Sequence, residues 1–315
     1  MKAAIIDEFG DADVLKITEI NKPEINGDQV LIKVKSTGIN PVDTKVRAGT
    51  SGISKKIKLP AILGWDVSGI IQIVGKNVQS FKSGDEVFGC IGFPGLGKTY
   101  AEFTVADPQL LAKKPYNISF EEAAAVPLAG LTAYQAINEE LKVSSGQKVL
   151  IQAAAGGVGH LAVQFAKING ALVIGTASEK NEKFLKSIGV DQFIDYKKEK
   201  FEERIQDVDA ALDAMGGEIL YRTISCVKRG GIVICLPSST KNDPKAIELA
   251  NERNIKLIWP MMRPDGEQMR LIASLLQDKK MKVSVDKIFT LDQITWAHKA
   301  VETHQTKGKV VVKVD

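Results

Sequence analysis

The chain has 315 residues, enough for two domains, and its 44% hydrophobic and 25% charged content is that of a protein with a packed core. Its 42 basic and 38 acidic residues leave a net charge of only +4, which with scattered lysines argues against nucleic acid as a partner. No apolar run approaches a membrane span and the first residues are too short for a signal-peptide core, so the expectation is no membrane partner and a cytoplasmic location. Three separated cysteines, Cys90, Cys226 and Cys235, form neither a disulfide framework nor a C-x-x-C metal site, and each reads as a small buried or half-buried apolar residue.

Residues 1–115 read as short strands at 3–6, 30–34, 67–74 and 86–88. Gly- and Asp-containing turns at 26–28, 75–77 and 83–85 punctuate them. That texture predicts a compact β-rich, barrel-like unit. At 119 it changes: Ser119 with Glu122 three residues on is a capping-box pattern, and a second helical stretch runs over 131–141. Strands at 149–151, 171–176, 192–195, 210–213 and 231–236 then follow, with helices at 157–169 and 180–188. This rhythm predicts a doubly wound parallel sheet, an α/β fold. A helix at 266–277, a short strand near Lys287 and a helix at 291–303 precede an apolar closing strand, 309–314. Such a strand must pair with something, and the N-terminal β unit is the expected host. The first domain is therefore predicted to be discontinuous, 1–118 and 262–315, around an inserted domain over 119–261.

The turn after the strand at 149–151 reads Gln152-Ala153-Ala154-Ala155-Gly156-Gly157-Val158-Gly159. Ala154, Gly156 and Gly159 occupy the positions of a dinucleotide-binding G-x-G-x-x-G, in the strand–turn–helix context such a motif needs. Gly156 would let backbone approach a pyrophosphate, and Gly159 would let helix and strand pack closely. Ala155, Gly157 and Val158 would line the same turn, where the helix N-terminus favours an anion. A small-residue turn in an ordinary α/β unit is the plainer alternative. After the next strand the first polar residue is Ser178 rather than an acid. It leaves room for a 2′-phosphate that Lys180 or Lys183 could neutralise, so NADPH is expected over NADH. Glu179 is the complicating acid. Tyr196 stands where an aromatic could cover the adenine, or is simply a surface tyrosine.

Four separated stretches carry a resemblance: Asn40 to Gly49, Leu63-Gly64-Trp65-Asp66-Val67-Ser68-Gly69, Gly84-Asp85-Glu86-Val87-Phe88-Gly89, and Ala154 to Gly159. Together with the closing Gly308-Lys309-Val310-Val311-Val312, they make the chain resemble the medium-chain dehydrogenase/reductase superfamily. Within it, the chain resembles the zinc-free quinone oxidoreductase and 2-alkenal (enone) reductase branch. The resemblance implies a GroES-like β domain carrying a Rossmann domain, with the active site in the cleft between them. The zinc ligands of the metal-dependent members fall here at Asn40, Trp65 and near Leu128. The four-cysteine lobe is missing, and His160, His298 and His304 are isolated, so no metal is expected.

The resemblance also points to Asn40, Lys45 and Arg47 beside the substrate. Lys45 takes the place of a substrate-facing lysine able to donate to a developing oxyanion. Asp43 and Arg47 are expected to pair and hold the loop. Thr132 would lie near the nicotinamide, and Leu236 would offer backbone to its carboxamide. Lys307 and Lys309 would help hold the cofactor phosphates. No general acid stands out, so solvent is the expected proton source.

The implied activity is NADPH-dependent, zinc-independent reduction of a quinone or of the conjugated C=C bond of an enal or enone. A non-catalytic NADPH-binding, redox-sensing protein of the same fold is the alternative, and alcohol dehydrogenation a third. A homo-oligomer is expected, a dimer being favoured, through a sheet edge near 231–236 or 255–259.

Overall fold

A computed structural model describes residues 1–314. In chain order the first strands are β1 (Lys2–Ile6), β2 (Lys16–Glu19), β3 (Val30–Ile39), β4 (Ala61–Ile62), β5 (Asp66–Val74), β6 (Glu86–Cys90), β7 (Phe103–Ala106) and β8 (Leu111–Lys113). Then come β9 (Lys148–Ile151), β10 (Leu172–Ala177), β11 (Gln192–Asp195), β12 (Val208–Asp213), β13 (Val227–Cys235) and β14 (Lys256–Ile258). The last two are β15 (Val285–Thr290) and β16 (Lys309–Lys313). Contacts group residues 1–131 with 263 onward into one unit and residues 132–262 into another.

The first unit is GroES-like. A seven-stranded sheet runs β15-β16-β3-β5-β6-β8, with β7 also on β3, beside a small sheet β2-β1-β4. The long strands alternate inward-facing residues, and Val30, Ile32, Val34, Val67, Ile71, Val87 and Leu111 build one core. The closing strand pairs antiparallel with β3, Val310 opposite Ile39 and Val311 opposite Gly38. An apolar terminal strand has thus found the N-terminal host that its composition demanded.

The second unit is Rossmann-like: six parallel strands in the order β11-β10-β9-β12-β13-β14, the doubly wound 3-2-1-4-5-6. Leu150, Ile174, Ala211 and Val233 from its strands pack with Leu220 and Ile224 from the helix Gly217–Cys226. The order reverses between β9 and β12, so the turn after β9 lies at the topological switch point, where open α/β sheets bind ligands.

The change of texture at 118/119 is not where the contacts divide. The helix Phe120–Ala124 packs on β3 and β5, and a Cβ on Gly38 would meet the Ala124 carbonyl. The stretch read as one helix over 131–141 is an α-helix, Pro127–Tyr134, followed by a π-helix, Gln135–Glu140. The segment 231–236 is no sheet edge, since β13 lies between β12 and β14; the open edge on that side is β14. Among the described residues, no helix is long and apolar enough to cross a membrane.

Candidate active site

The glycine turn joins β9 to the helix Gly159–Ile168. Ala153 turns the chain with φ 50°, a conformation rare outside glycine, and its N–H is held by the Thr176 hydroxyl at 3.3 Å. A Cβ on Gly159 would collide with the Ala153 carbonyl and Ala154, so this glycine sets the closeness of helix and strand. At Gly156 a Cβ would meet only the Ala153 carbonyl, at 3.2 Å. Its carbonyl is taken up inward, accepting from the His160 backbone at 3.1 Å and facing that ring's Nδ1 at 2.8 Å. The N–H groups of Ala155, Gly157 and Val158 have no protein acceptor among the described residues. Open donors at a helix N-terminus make an anion cradle.

Under the turn lies a buried hydrogen-bond chain not foreseen from the sequence. Thr176 Oγ1 donates to Gln152 Oε1 at 2.6 Å, and Gln152 Nε2 donates to Thr223 Oγ1 at 3.1 Å. Thr223 in turn donates to Asp213 Oδ2 at 3.0 Å, while Asp213 Oδ1 accepts from the backbone of Met215 and Gly216. Burial raises the Asp213 carboxyl above its ordinary range, and these donors pull it back. The chain fastens the ends of β9, β10 and β12 to one another. Nothing in the local sequence signals it, because its members come from four separate segments.

At the end of β10, Ser178 is 8% exposed and accepts from Asn181 at 3.4 Å. The accessible charge is therefore that of Lys180 and Lys183, both exposed and without a protein partner among the described residues. Glu179 is neutralised by Lys198 at 2.8 Å. Tyr196 follows β11, is 55% exposed, and binds through its N–H to the Ala177 carbonyl, which places it beside Ser178. Lys197, next in the chain, is also exposed, and its N–H donates to Asp195 Oδ1 at 3.0 Å. Leu236 directly follows β13 with its N–H committed to the Asp213 carbonyl at 2.8 Å, which leaves its own carbonyl to offer. Thr132 is half-buried on the helix Pro127–Tyr134, and Lys307 is half-buried just before β16.

In the first unit, Pro41 starts the helix Pro41–Arg47 at the position proline prefers, and Asn40 is the N-cap. Asp43 Oδ2 accepts from the Asn40 N–H at 2.7 Å, the return half of a capping box. Antiparallel register places Lys309 across from Asn40. Only 4% exposed, the Lys309 ammonium donates to the Ile39 carbonyl at 3.1 Å, to Asp66 Oδ2 at 3.3 Å and to Asn40 Oδ1. Asp66 also accepts from Asn40 Nδ2 at 2.9 Å and from the Leu128 N–H at 2.7 Å. Burial lifts the Asp66 carboxyl, and Lys309 acts most strongly to lower it. Lys309 is thus turned inward, a correction to the expectation that it reaches cofactor phosphates. Asn40 is tied at both ends of its amide. Lys45, half-buried on the same helix, leaves its ammonium without a partner among the described residues.

Arg47 does not pair with Asp43 as expected. Its buried guanidinium donates to Glu302 at 2.6 Å and to the Gly10 carbonyl at 3.2 Å, and it faces His298 Nδ1 at 3.4 Å. A guanidinium can only donate. Burial and then Arg47 push His298 down to about 3 and keep it neutral, so its proton lies on Nε2, facing the Tyr100 hydroxyl at 3.2 Å. Asp43 is raised to about 7, by burial first; the Tyr100 hydroxyl lowers it and the Asp66 carboxylate adds to the rise. Its Oδ1 is buried without a partner.

Zinc does not fit these residues. Trp65 is buried and spends its indole N–H on the Gly95 carbonyl at 2.7 Å, and Leu128 contributes only a backbone N–H. The thiol of Cys90, the strand partner of Asp66, is pushed well up by burial and then by that carboxylate, which keeps it protonated rather than a thiolate ligand, and the Lys309 ammonium already provides the cation there.

Comparison with known proteins agrees with both units. The family model for the alcohol dehydrogenase GroES-like domain matches residues 26–116, and the model for zinc-binding dehydrogenase matches residues 188–312. A tomato (Solanum lycopersicum) 2-methylene-furan-3-one reductase is 36% identical over 323 residues, covering 99% of this chain and 79% of that one. The Arabidopsis thaliana chloroplastic NADPH-dependent alkenal/one oxidoreductase is 34% identical, over 99% of this chain and 79% of its own length. The structure of the quinone oxidoreductase from Coxiella burnetii superposes with a TM-score of 0.94 at 38% identity, covering 100% of this chain and 99% of that one. The chain belongs to the medium-chain dehydrogenase/reductase superfamily, in its zinc-free quinone oxidoreductase and alkenal reductase branch.

Proposed function

We propose that this chain is an NADPH-dependent, zinc-independent reductase that delivers hydride to quinones or to the C=C bond of enals and enones. The similar alkenal/one oxidoreductase and furanone reductase support that chemistry. The observation that carries it furthest on this chain's own residues is the unpartnered Lys45 ammonium, on the helix Pro41–Arg47. When bound, NADPH supplies the hydride. The amides of Ala155, Gly157 and Val158 hold the pyrophosphate, with Gly156 and Gly159 giving it room and shape. Lys180 and Lys183 hold the 2′-phosphate beside Ser178, and Tyr196 covers the adenine. Thr132 and the Leu236 carbonyl position the nicotinamide, and Lys307 adds positive charge. Lys45 donates to the substrate oxygen as negative charge develops there, while Asn40 positions the helix rather than touching substrate. Solvent protonates the carbon. A homodimer through the open β14 edge, in the cytoplasm, completes the proposal.

The test is to mix protein and NADPH with phenanthrenequinone and a panel of enals and enones, following loss of nicotinamide absorbance. Acceptor-dependent oxidation that survives chelators is expected. Tight NADPH binding with no turnover across the panel would instead identify a binding protein. Oxidation of simple alcohols that chelators abolish would identify a metal alcohol dehydrogenase.

A further inference from the structure

A buried carboxylate without a counter-ion is costly, and Asp66 is fully buried between β5's neighbours. What balances it is a side chain from the other end of the chain. Gly308, at φ 75°, turns so tightly that a Cβ would strike the Ser284 carbonyl, and the next residue begins β16 with Lys309 pointing inward. An ammonium has three hydrogens, and here three oxygens receive them: Ile39 O, Asn40 Oδ1 and Asp66 Oδ2. It has none left for a substrate oxygen or a phosphate. Gly38 on β3 is also shaped to this cluster, since a Cβ there would meet the Asp66 carboxylate.

We propose that Lys309 is a resident cation standing in for a metal ion, and that it acts as a positioning residue for the reduction. It neutralises Asp66, fixes the Asn40 amide, and through that N-cap sets the start of the helix that presents Lys45. One cation holds the helix and a second, unpartnered one meets the substrate. In a metal enzyme a single ion can do both. This rests on the reductase reading only for its turnover arm; the folding arm stands without it.

The test uses two variants of the full chain, Lys309→Met and the double Asp66→Asn/Lys309→Met. Leaving Asp66 unpaired should lower the Tm of Lys309→Met by roughly 10 °C. Removing the stranded charge in the double variant should restore most of that loss. The kcat with an enal should fall by about tenfold or more in both, because Asn40 Oδ1 has lost its partner in each, while the NADPH Kd stays within about twofold. A tenfold weaker NADPH Kd would overturn the proposal by returning Lys309 to the phosphates. Recovery of kcat together with Tm in the double variant would overturn the positioning role. A double variant no more stable than the single would overturn the resident cation. If Lys309→Met does not fold, the double variant decides by its kcat and Kd. Failure of the wild type to reduce any acceptor would sink the reductase reading and leave the Tm comparison intact.

Discussion

Around Asn40, three acceptors meet the three hydrogens of the Lys309 ammonium, and Asp66 receives donors from Asn40, Lys309 and Leu128. At the glycine turn the bookkeeping runs the other way: the amides of Ala155, Gly157 and Val158 are left open, with nothing of the protein's own to bind. A buried polar cluster that satisfies itself can hold a backbone in one place but has nothing left to offer a ligand. A turn that leaves donors unsatisfied is poised for an anion. The same contrast separates two lysines of the first unit, Lys309 saturated and Lys45 free.

Substitutions at the two glycines should break this contrast hardest. Gly159→Val forces a side chain into the Ala153 carbonyl, so it should weaken NADPH binding by roughly 100-fold and lower Tm together, by titration and by thermal melt. Gly156→Ala meets far less, so it should keep most of the Tm and lose NADPH affinity, because the methyl fills space meant for ligand. Equal Tm losses at both would mean that the turn is only a packing device.

One atom departs from the satisfied cluster, the unpartnered Asp43 Oδ1. With its carboxyl raised from 3.8 to about 7, the folded protein keeps a proton that the unfolded chain releases across that window. Asp43 therefore contributes stability at low pH that is lost as pH rises toward 7. His298 works oppositely: depressed from 6.5 to about 3, it adds stability as pH rises between those values. Asp43→Asn removes only the first effect. Relative to this variant, the wild type should lose on the order of a few kcal/mol between pH 4 and 7 in denaturant titrations. Parallel curves would place the proton elsewhere.

The smallest effect belongs to the rim of the open site. Ser178→Asp should shift the NADPH/NADH ratio of kcat/KM toward NADH by about tenfold, through repulsion of the 2′-phosphate. An unchanged ratio would move that phosphate away from Lys180 and Lys183.

The parallel sheet and the displaced closing strand were legible because period and apolar runs are local signals, and β11 and the helix Gly266–Gln277 have the bounds that periodicity predicts. The helix Pro41–Arg47 was not, since its two turns are shorter than the window over which helical periodicity can be read. The helix Gly217–Cys226 hid behind Gly216 at φ 73°, which reads as a turn. At the site, the open turn was legible because it is built from consecutive residues. The satisfied cluster was not. Arg47 reads as a partner for Asp43 four residues back, yet it bonds Glu302, 255 residues away. Lys309 reads as a surface phosphate ligand until the register of β16 on β3 turns it inward. Long-range pairing decides such side chains, and no local pattern carries it.

The most direct test is single-turnover hydride transfer, with the NADPH complex of wild type and of Lys45→Ala each mixed with an enal. The expected result is a rate about 100-fold lower in Lys45→Ala with an unchanged NADPH Kd. An unchanged rate, or a rate loss matched by an equal loss of NADPH affinity, would contradict the role of Lys45 as the free cation that meets the substrate.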